Sequence, residues 1–157
     1  KKLIKRYKLE PGSKVLDVGC GKGFLLYEML KLQPGLIIHG FDISNYALKR
    51  VKKNRNLKVF KHKAEKKFPY KKNSFDLVIS LATLHNLKLF DLTDAIEEIE
   101  RVGKKKYIMV ESFKNDKQLF NLQCWALTCQ TFLSVKEWIW LYKKIKYKGD
   151  YEFIFFN

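Results

Sequence analysis

A glycine-rich turn between an apolar strand and an apolar helix constrains the fold of this chain more than any other feature. Residues 15–24 have the sequence Val-Leu-Asp-Val-Gly-Cys-Gly-Lys-Gly-Phe, and the apolar helix that follows extends to about Leu32. Glycines at the carboxyl end of a buried strand allow positive φ angles and let the backbone approach a ligand closely. The segment predicts a ligand-binding strand–turn–helix unit in a parallel sheet. A tight turn without a ligand is the alternative interpretation.

Short apolar strands alternate with helical patterns along the rest of the chain. The strand patterns lie at Lys14–Val18, 36–41, Leu57–Lys61, Phe75–Leu81, 107–113 and 151–156. Further helices are predicted over 45–53 after a Ser44 cap, from Asp91 or Thr93, and after a capping box formed by Ser134 and Glu137. This alternation predicts an α/β fold: a Rossmann-like, doubly wound, mostly parallel sheet with helices on both faces. We expect one domain over residues 1–157, and the absence of an initial Met allows for a preceding segment.

Composition excludes several classes of protein. The chain has 157 residues, 46% of them hydrophobic, so a substantial core is expected. No apolar run approaches the ~20 residues of a membrane span. The three cysteines are too few for a disulfide scaffold and match no zinc-site spacing, which predicts no metal and a cytoplasmic location.

The charge is strongly positive, with 32 lysines and arginines against 16 acids. A net charge of +16 attracts phosphates and nucleic acid. Only four of the cations are arginine, however, and arginine is the residue that best recognises phosphate in a bidentate manner. We therefore favour solvated lysine-rich faces, with RNA binding as the alternative.

The glycine spacing indicates what kind of ligand the turn binds. A dinucleotide fingerprint requires G-x-G-x-x-G, but Phe24 stands at the position of its third glycine. A phosphate-binding P-loop requires Ser or Thr after Gly-Lys, but Gly23 follows Lys22. The pattern suits a ligand with an ammonium and a carboxylate, because backbone amides can bind the carboxylate and Asp17 can favour the ammonium.

Asp42 supplies a second element of the predicted site. It ends the second strand, 19 residues after Gly23. A carboxylate at this position can accept two charge-assisted hydrogen bonds from a ribose diol. The alternative is that Asp42 caps the next helix, but Ser44 is better placed for that role.

Together these motifs resemble the class I S-adenosylmethionine (SAM)-dependent methyltransferases. The resemblance extends to Gly-Phe-Asp-Ile-Ser at 40–44, Asn-Ser-Phe-Asp-Leu-Val at 73–78 and Ile-Glu-Arg-Val at 99–102. It implies SAM as the cofactor, S-adenosylhomocysteine as its product, and binding across the tips of strands one, two and four. The family often has Asp-Ala-Glu after strand three, whereas Lys63 replaces that Asp here, so adenine recognition would fall to the residues that follow it. The implied cofactor-binding residues are Asp17, Gly19, Cys20, Gly21, Gly23, Asp42, Ile43, Ala64, Glu65 and Leu81.

The end of strand four is expected to face the methyl acceptor. It lacks the Pro-Pro motif that marks methylases of exocyclic base amines, and Ser80 stands where metal-dependent catechol-type enzymes carry an acid. His85 follows this strand and is the candidate general base, because histidine can accept a proton near neutral pH. The alternative is a loop histidine that packs on the cofactor or orients the substrate. Asn86 is a candidate for orienting the acceptor.

Residues 120–132 combine a tryptophan and two cysteines with little charge. One interpretation is a wall or lid of the acceptor pocket, with Gln123, Trp125 and Thr128 as substrate-binding residues. The other is an additional helix that closes the core.

The sequence therefore predicts a cytoplasmic SAM-dependent methyltransferase that acts on a small molecule, such as a sugar, a nucleotide-sugar or another metabolite. An RNA methyltransferase and a non-catalytic SAM-binding module are the alternatives. No membrane partner is expected, and the protein is expected to be a monomer or a homodimer.

Overall fold

The computed structural model describes residues 1–157 and contains six parallel strands in one sheet, in the order β3-β2-β1-β4-β5-β6. The strands are β1 (Lys14–Val18), β2 (Ile37–Asp42), β3 (Leu57–Lys61), β4 (Phe75–Leu81), β5 (Gly103–Glu111) and β6 (Asp150–Ile154). The α-helices are α1 (Lys2–Tyr7), α2 (Phe24–Leu32), α3 (Asn45–Leu48), α4 (Leu89–Val102), α5 (Asp116–Trp125) and α6 (Val135–Lys144). A short 3₁₀ turn covers Leu84–Asn86. None of the helices is long and apolar enough to cross a membrane.

The sheet is buried on both faces, as its apolar strands require. Successive side chains of a strand point to opposite faces, and β1 shows this directly. Leu16 and Val18 pack into a core with α4 and α6, whereas Val15 packs into a second core with α1 and α2. The predicted Rossmann-like architecture is thus confirmed.

The strand order reverses at β1, which has β2 on one side and β4 on the other. Ligands of open parallel sheets bind at the carboxyl ends of the strands on either side of such a reversal. At the opposite end, the Asp76 carboxylate accepts hydrogen bonds from Lys14 N–H at 2.8 Å and Lys104 Nζ at 2.9 Å. These bonds lower the pKa of Asp76 and tie together the first residues of three strands.

Arg101 of α4 fixes the long connection between β3 and β4. Its guanidinium donates to the carbonyls of Tyr70 at 2.8 Å and Phe68 at 3.2 Å, and to the Glu98 carboxylate at 2.6 Å. Glu98 in turn accepts from Phe68 N–H at 2.6 Å. Because this connection begins at the ligand-binding edge, the cluster anchors one wall of the site to the body of the protein.

The observed element boundaries differ from the predicted ones in five places. The second strand spans Ile37–Asp42 rather than 36–41. The Ser44 cap is confirmed, since its Oγ accepts from Ala47 N–H at 3.1 Å, but α3 ends at Leu48 rather than near residue 53. Residues 49–53 contain four cations around a single valine, so a longer helix would have no apolar face to bury. The helix predicted from Asp91 or Thr93 begins at Leu89. The fifth strand spans Gly103–Glu111 rather than 107–113, and the last spans Asp150–Ile154 rather than 151–156.

Helix α1 was not predicted. It has only six residues, and its stability depends on tertiary contacts. Tyr7 is buried and donates a hydrogen bond from its hydroxyl to Asp150 at 2.6 Å. The two residues of this contact, Tyr7 and Asp150, are therefore separated by almost the full length of the chain.

Candidate active site

A cavity of about 440 Å³ lies at the carboxyl ends of β1, β2 and β4. Its volume falls in the range usual for small-molecule sites. The residues predicted from sequence that line it are Gly19, Asp42, Ile43, Ala64, Glu65, Leu81, Asn86 and Thr128. The predicted residues that do not line it are Asp17, Cys20, Gly21, Gly23, His85, Gln123 and Trp125.

Asp42 is held in place at the tip of β2 by two backbone groups. Gly21 N–H donates to its Oδ2 and Ser44 N–H to its Oδ1, both at 2.8 Å. A carboxylate oxygen can accept two hydrogen bonds, so each oxygen retains acceptor capacity. The arrangement presents a fixed carboxylate with free lone pairs at the cavity.

The glycine turn has the backbone conformation that its sequence predicts. Gly19, Gly21 and Gly23 have φ angles of 81°, 52° and 69°. At Gly19 an added Cβ would overlap the side chain of Thr83, whose hydroxyl donates to the Gly19 carbonyl at 3.3 Å. Glycine at this position therefore allows the tips of β1 and β4 to approach each other.

Most amides of the turn are already used within the protein. Gly19 and Cys20 N–H both donate to the Phe41 carbonyl, and Gly23 N–H donates to the Cys20 carbonyl. With Gly21 N–H bound to Asp42, only Lys22 N–H lacks an internal acceptor. Among the turn amides expected to bind a ligand carboxylate, only Lys22 N–H therefore remains available. The start of α2 is also available, because this helix has no side-chain cap.

Asp17 lies beneath the turn and is only 5% exposed. Burial, and secondarily the charge of Asp42, raises the pKa of Asp17 to about 7. Its carboxyl group therefore changes charge near neutral pH. Burial, together with Asp17, also raises the pKa of Cys20 to about 12, so this thiol stays protonated.

The side of the cavity next to β3 contains a residue that the sequence did not single out. His62 follows β3 directly, lines the cavity and packs edge-on against Phe41, with ring centroids 5.1 Å apart. Its Nε2 is buried and has no hydrogen-bond partner. Beside it, Lys63 Nζ lies 3.5 Å from Glu65 and pairs with this carboxylate. The position of His62 after an edge strand was the one available signal.

His85 lies in the 3₁₀ turn after β4 and is 4% exposed. Its Nδ1 contacts the carboxylate of Glu111, which ends β5. The next residue, Asn86, lines the cavity, and its Oδ1 accepts from Thr128 Oγ1 at 2.7 Å. The turn therefore places Asn86 at the cavity and the imidazole against β5.

The segment after β5 forms helix α5 and a short turn, and these place the three predicted substrate-binding residues differently. Helix α5 is an additional helix, and Gln123 and Trp125 lie on it, exposed. Trp125 packs against Phe156 in a tilted arrangement, with ring centroids 4.6 Å apart, and does not line the cavity. Thr128, after the helix, does line the cavity.

Residues 9–155 match the model of a methyltransferase-domain family. Because this match covers nearly the whole chain, and the fold and the glycine turn agree with it, the chain belongs to the class I SAM-dependent methyltransferases.

Relatives of known name have different functions. Over 110 residues the chain is 33% identical to the mitochondrial arginine-hydroxylase NDUFAF5 of Mus musculus, covering 69% of this chain and 31% of that protein. Over 99 residues it is 37% identical to ribosomal RNA small subunit methyltransferase C of Buchnera aphidicola, covering 60% and 28%. The chain thus spans only about a third of the length of these relatives.

Solved structures show the same fold. The complex of the Haloferax volcanii Trm112 methyltransferase activator with a methyltransferase gives a TM-score of 0.76 at 20% identity, covering 92% of this chain and 65% of that one. Phosphoethanolamine N-methyltransferase 2 of Haemonchus contortus, bound to S-adenosylhomocysteine, gives 0.71 at 20% identity, covering 91% and 35%.

The contact between Gly19 and Thr83 predicts different effects for two alanine substitutions in the turn. Gly19→Ala should lower the free energy of unfolding by at least about 2 kcal/mol, because it combines steric overlap with a strained positive φ. Gly21→Ala is the matched control: its φ is also positive, but a Cβ there meets nothing within 4 Å, so about 1 kcal/mol is expected. Urea unfolding of both variants measures the difference, and equal losses would contradict the role of Thr83.

The raised pKa of Asp17 predicts a pH-dependent stability. Because the folded-state pKa of about 7 lies above the ordinary value of 3.8, the folded protein binds this proton more tightly than the unfolded chain does. The resulting stabilisation is complete below about pH 4 and is lost as the pH rises through about 7. In Asp17→Asn this component should disappear. Thermal unfolding between about pH 5 and 8 tests this, and identical pH profiles for both proteins would contradict it.

Proposed function

We propose that the protein transfers a methyl group from SAM to a small polar molecule, such as a sugar or nucleotide-sugar. The observation that carries this proposal is the Asp42 carboxylate, which is fixed by two amides and has free lone pairs at a cavity of about 440 Å³. A ribose diol is the group that such a carboxylate binds well.

The remaining contacts suit the other parts of SAM. Lys22 N–H and the uncapped start of α2 would bind the carboxylate of the methionine part, since helix amino termini favour anions. Asp17, in its ionised form, would favour the ammonium. The unpartnered Nε2 of His62 and the carboxylate of Glu65 would contact adenine, and the exposed side chain of Ile43 would cover its face.

SAM supplies an activated methyl group, so the protein must mainly orient the acceptor and exclude water. The tip of β4 is suited to this task. Ala82 lines the cavity with a φ of 52°, a conformation that costs free energy in residues other than glycine and is found at functional sites. Asn86 and Thr128, joined by their hydrogen bond, form the adjoining wall and offer polar atoms to an acceptor.

The small volume of this cavity is what favours a small molecule as the acceptor.

Ser80 does not face the acceptor. Its hydroxyl is fully buried and donates to the Val18 carbonyl at 3.1 Å, so this residue stabilises the sheet. The relatives reported above include a ribosomal RNA methyltransferase and an arginine-hydroxylase, so membership of the family does not determine the acceptor.

Cofactor binding is tested with Asp42→Ala. We expect its affinity for SAM and S-adenosylhomocysteine, measured by calorimetry, to fall more than about tenfold because two charge-assisted hydrogen bonds to the ribose are lost. Asp76→Ala is the control: this carboxylate also binds a backbone amide, but at the opposite end of the sheet, so cofactor affinity should stay within about twofold.

Full affinity in Asp42→Ala would contradict the ribose contact. Transfer of labelled methyl from SAM to pooled metabolites then tests the reaction. Tight SAM binding without transfer to any metabolite or RNA would instead favour a non-catalytic SAM-binding module.

A second candidate function, methylation of RNA, is favoured by an acid-free stretch. The 22 residues between Asp42 and Glu65 include eight lysines and arginines and no acid. Only Lys63 among these cations forms an ion pair. Nearby, the guanidinium of Arg50 lies 3.4 Å from the ring centroid of Tyr46, which is exposed. Unpaired cations beside an exposed aromatic ring suit a phosphate backbone with stacked bases.

Single-stranded RNA binding distinguishes this function from the first. If it holds, affinity should fall steeply between about 50 and 200 mM salt, and Lys52→Glu/Lys53→Glu should weaken it at least tenfold. Lys143→Glu/Lys144→Glu on α6 makes the same change in net charge away from this stretch and should have a much smaller effect. Absence of binding at about 50 mM salt, or equal effects of both double variants, would reject a dedicated RNA surface.

A further inference from the structure

A second cavity of about 440 Å³ lies where β5 and β6 begin, at the opposite edge of the sheet from the candidate active site. Its volume is in the range of small-molecule sites. Five of its eight lining residues are cations, namely Arg6, Lys104, Lys105, Lys106 and Lys148. A cleft whose wall carries mostly one sign of charge attracts ligands of the opposite charge.

Asp150 is the one acid in this wall, and its carboxylate pairs with α1. The hydroxyl of Tyr7 donates to Asp150 Oδ2 at 2.6 Å, and Arg6 Nη2 lies 3.2 Å from the same oxygen. Arg6 also pairs with Glu152 at 3.3 Å. The acid of the wall therefore balances Arg6 rather than the lysines.

Two of the four lysines have carboxylate partners of their own. Lys104 Nζ lies 2.9 Å from Asp76, near the start of β4. Lys106 is only 8% exposed, and its Nζ lies 2.9 Å from Glu100 Oε1 on α4. The other oxygen of Glu100 accepts from Lys148 N–H at 3.0 Å. Glu100 thus fixes both Lys106 and the main chain before β6.

The other two lysines, Lys105 and Lys148, form no ion pair. Lys105 Nζ donates to the Tyr7 carbonyl at 3.3 Å, at the end of α1, and an ammonium has two further protons to donate. Helices α1 and α4 pack on opposite faces of the sheet. Because Lys105 is bound to α1 and the main chain of Lys148 to α4, the cavity has an unpaired ammonium group from each side.

We propose that this cavity binds a ligand with a chain of two or three phosphate groups. A single phosphate is small relative to about 440 Å³, whereas a linear phosphate chain can contact Lys105 and Lys148 together. Hydrogen bonds between ammonium and phosphate groups are charge-assisted and stronger than those between neutral groups.

The position of the cavity separates this ligand from the methyl-transfer site. It lies at the opposite edge of the sheet from Asp42, so its ligand is neither the methyl donor nor the acceptor. It also lies at β5 and β6, whereas the acid-free stretch between Asp42 and Glu65 includes β3, at the far side of the sheet. The inference therefore goes beyond the proposed function and does not depend on it.

Binding is tested by calorimetry with sodium tripolyphosphate at about 50 mM salt. We expect one site, with an affinity that falls at least about threefold when the salt is raised to about 200 mM. Lys105→Gln/Lys148→Gln should weaken binding at least about tenfold, because two charge-assisted contacts are lost. Lys143→Gln/Lys144→Gln on α6 makes the same change in net charge and should stay within about twofold.

A single variant guards against a loss of folding in the double variant. The Lys148 side chain pairs with no other group, so Lys148→Gln should leave the unfolding temperature unchanged and still weaken binding at least about threefold. Amide NMR spectra locate the ligand. Tripolyphosphate should shift the signals of residues 104–106 and 148–150 and leave those of residues 43–64 in place.

Four results would overturn the proposal. These are no binding of tripolyphosphate, shifts confined to residues 43–64 or to the glycine turn, equal losses in the two double variants, and inorganic phosphate binding as tightly as tripolyphosphate. Single-stranded RNA provides the remaining comparison, since it carries phosphates in a different form. If RNA binds through Lys105 and Lys148 and tripolyphosphate does not, the cavity belongs to an RNA surface and the proposed ligand class is wrong.

Discussion

One carboxylate joins the tips of two neighbouring strands at the candidate site. Asp42 receives amides from the glycine turn and from the start of α3, so the tips of β1 and β2 share a single anchor. Neither strand tip could be displaced without leaving a polar group unpaired. The strand order reverses at β1, and ligand sites of open parallel sheets lie at the carboxyl ends of the strands next to such a reversal. Asp42 ends β2, so it lies at this edge, where the cavity opens.

Much of the architecture could be predicted because its signals are local. The alternation of strands and helices, the Ser44 cap and the capping box at Ser134 are short-range patterns, and the structure contains all of them. Helix α1 was missed because its stability depends on a tertiary partner: its Tyr7 donates a hydrogen bond to the last strand. Helix α3 was predicted too long because a run of cations carries no signal of its own end.

The residues of the candidate site differ in the same way: some have a local sequence signal and others do not. Asp42 and the glycines could be found because their residue types and spacing are characteristic. His62 and Glu111 could not, since each becomes notable only through an unpartnered buried atom, which is a property of packing. The glycine-turn amides show the converse: their sequence suggests ligand binding, whereas three of them donate to main-chain carbonyls.

The burial of Glu111 has a consequence for how this protein can change over evolutionary time. Replacing His85 alone would leave the Glu111 carboxylate buried without the group that it contacts, and replacing Glu111 alone would leave His85 Nδ1 in the same state. A lineage that loses one residue is therefore under pressure to lose the other, and an apolar pair of similar volume would restore the packing. The two positions are expected to be inherited as a unit, although 25 residues separate them in the chain.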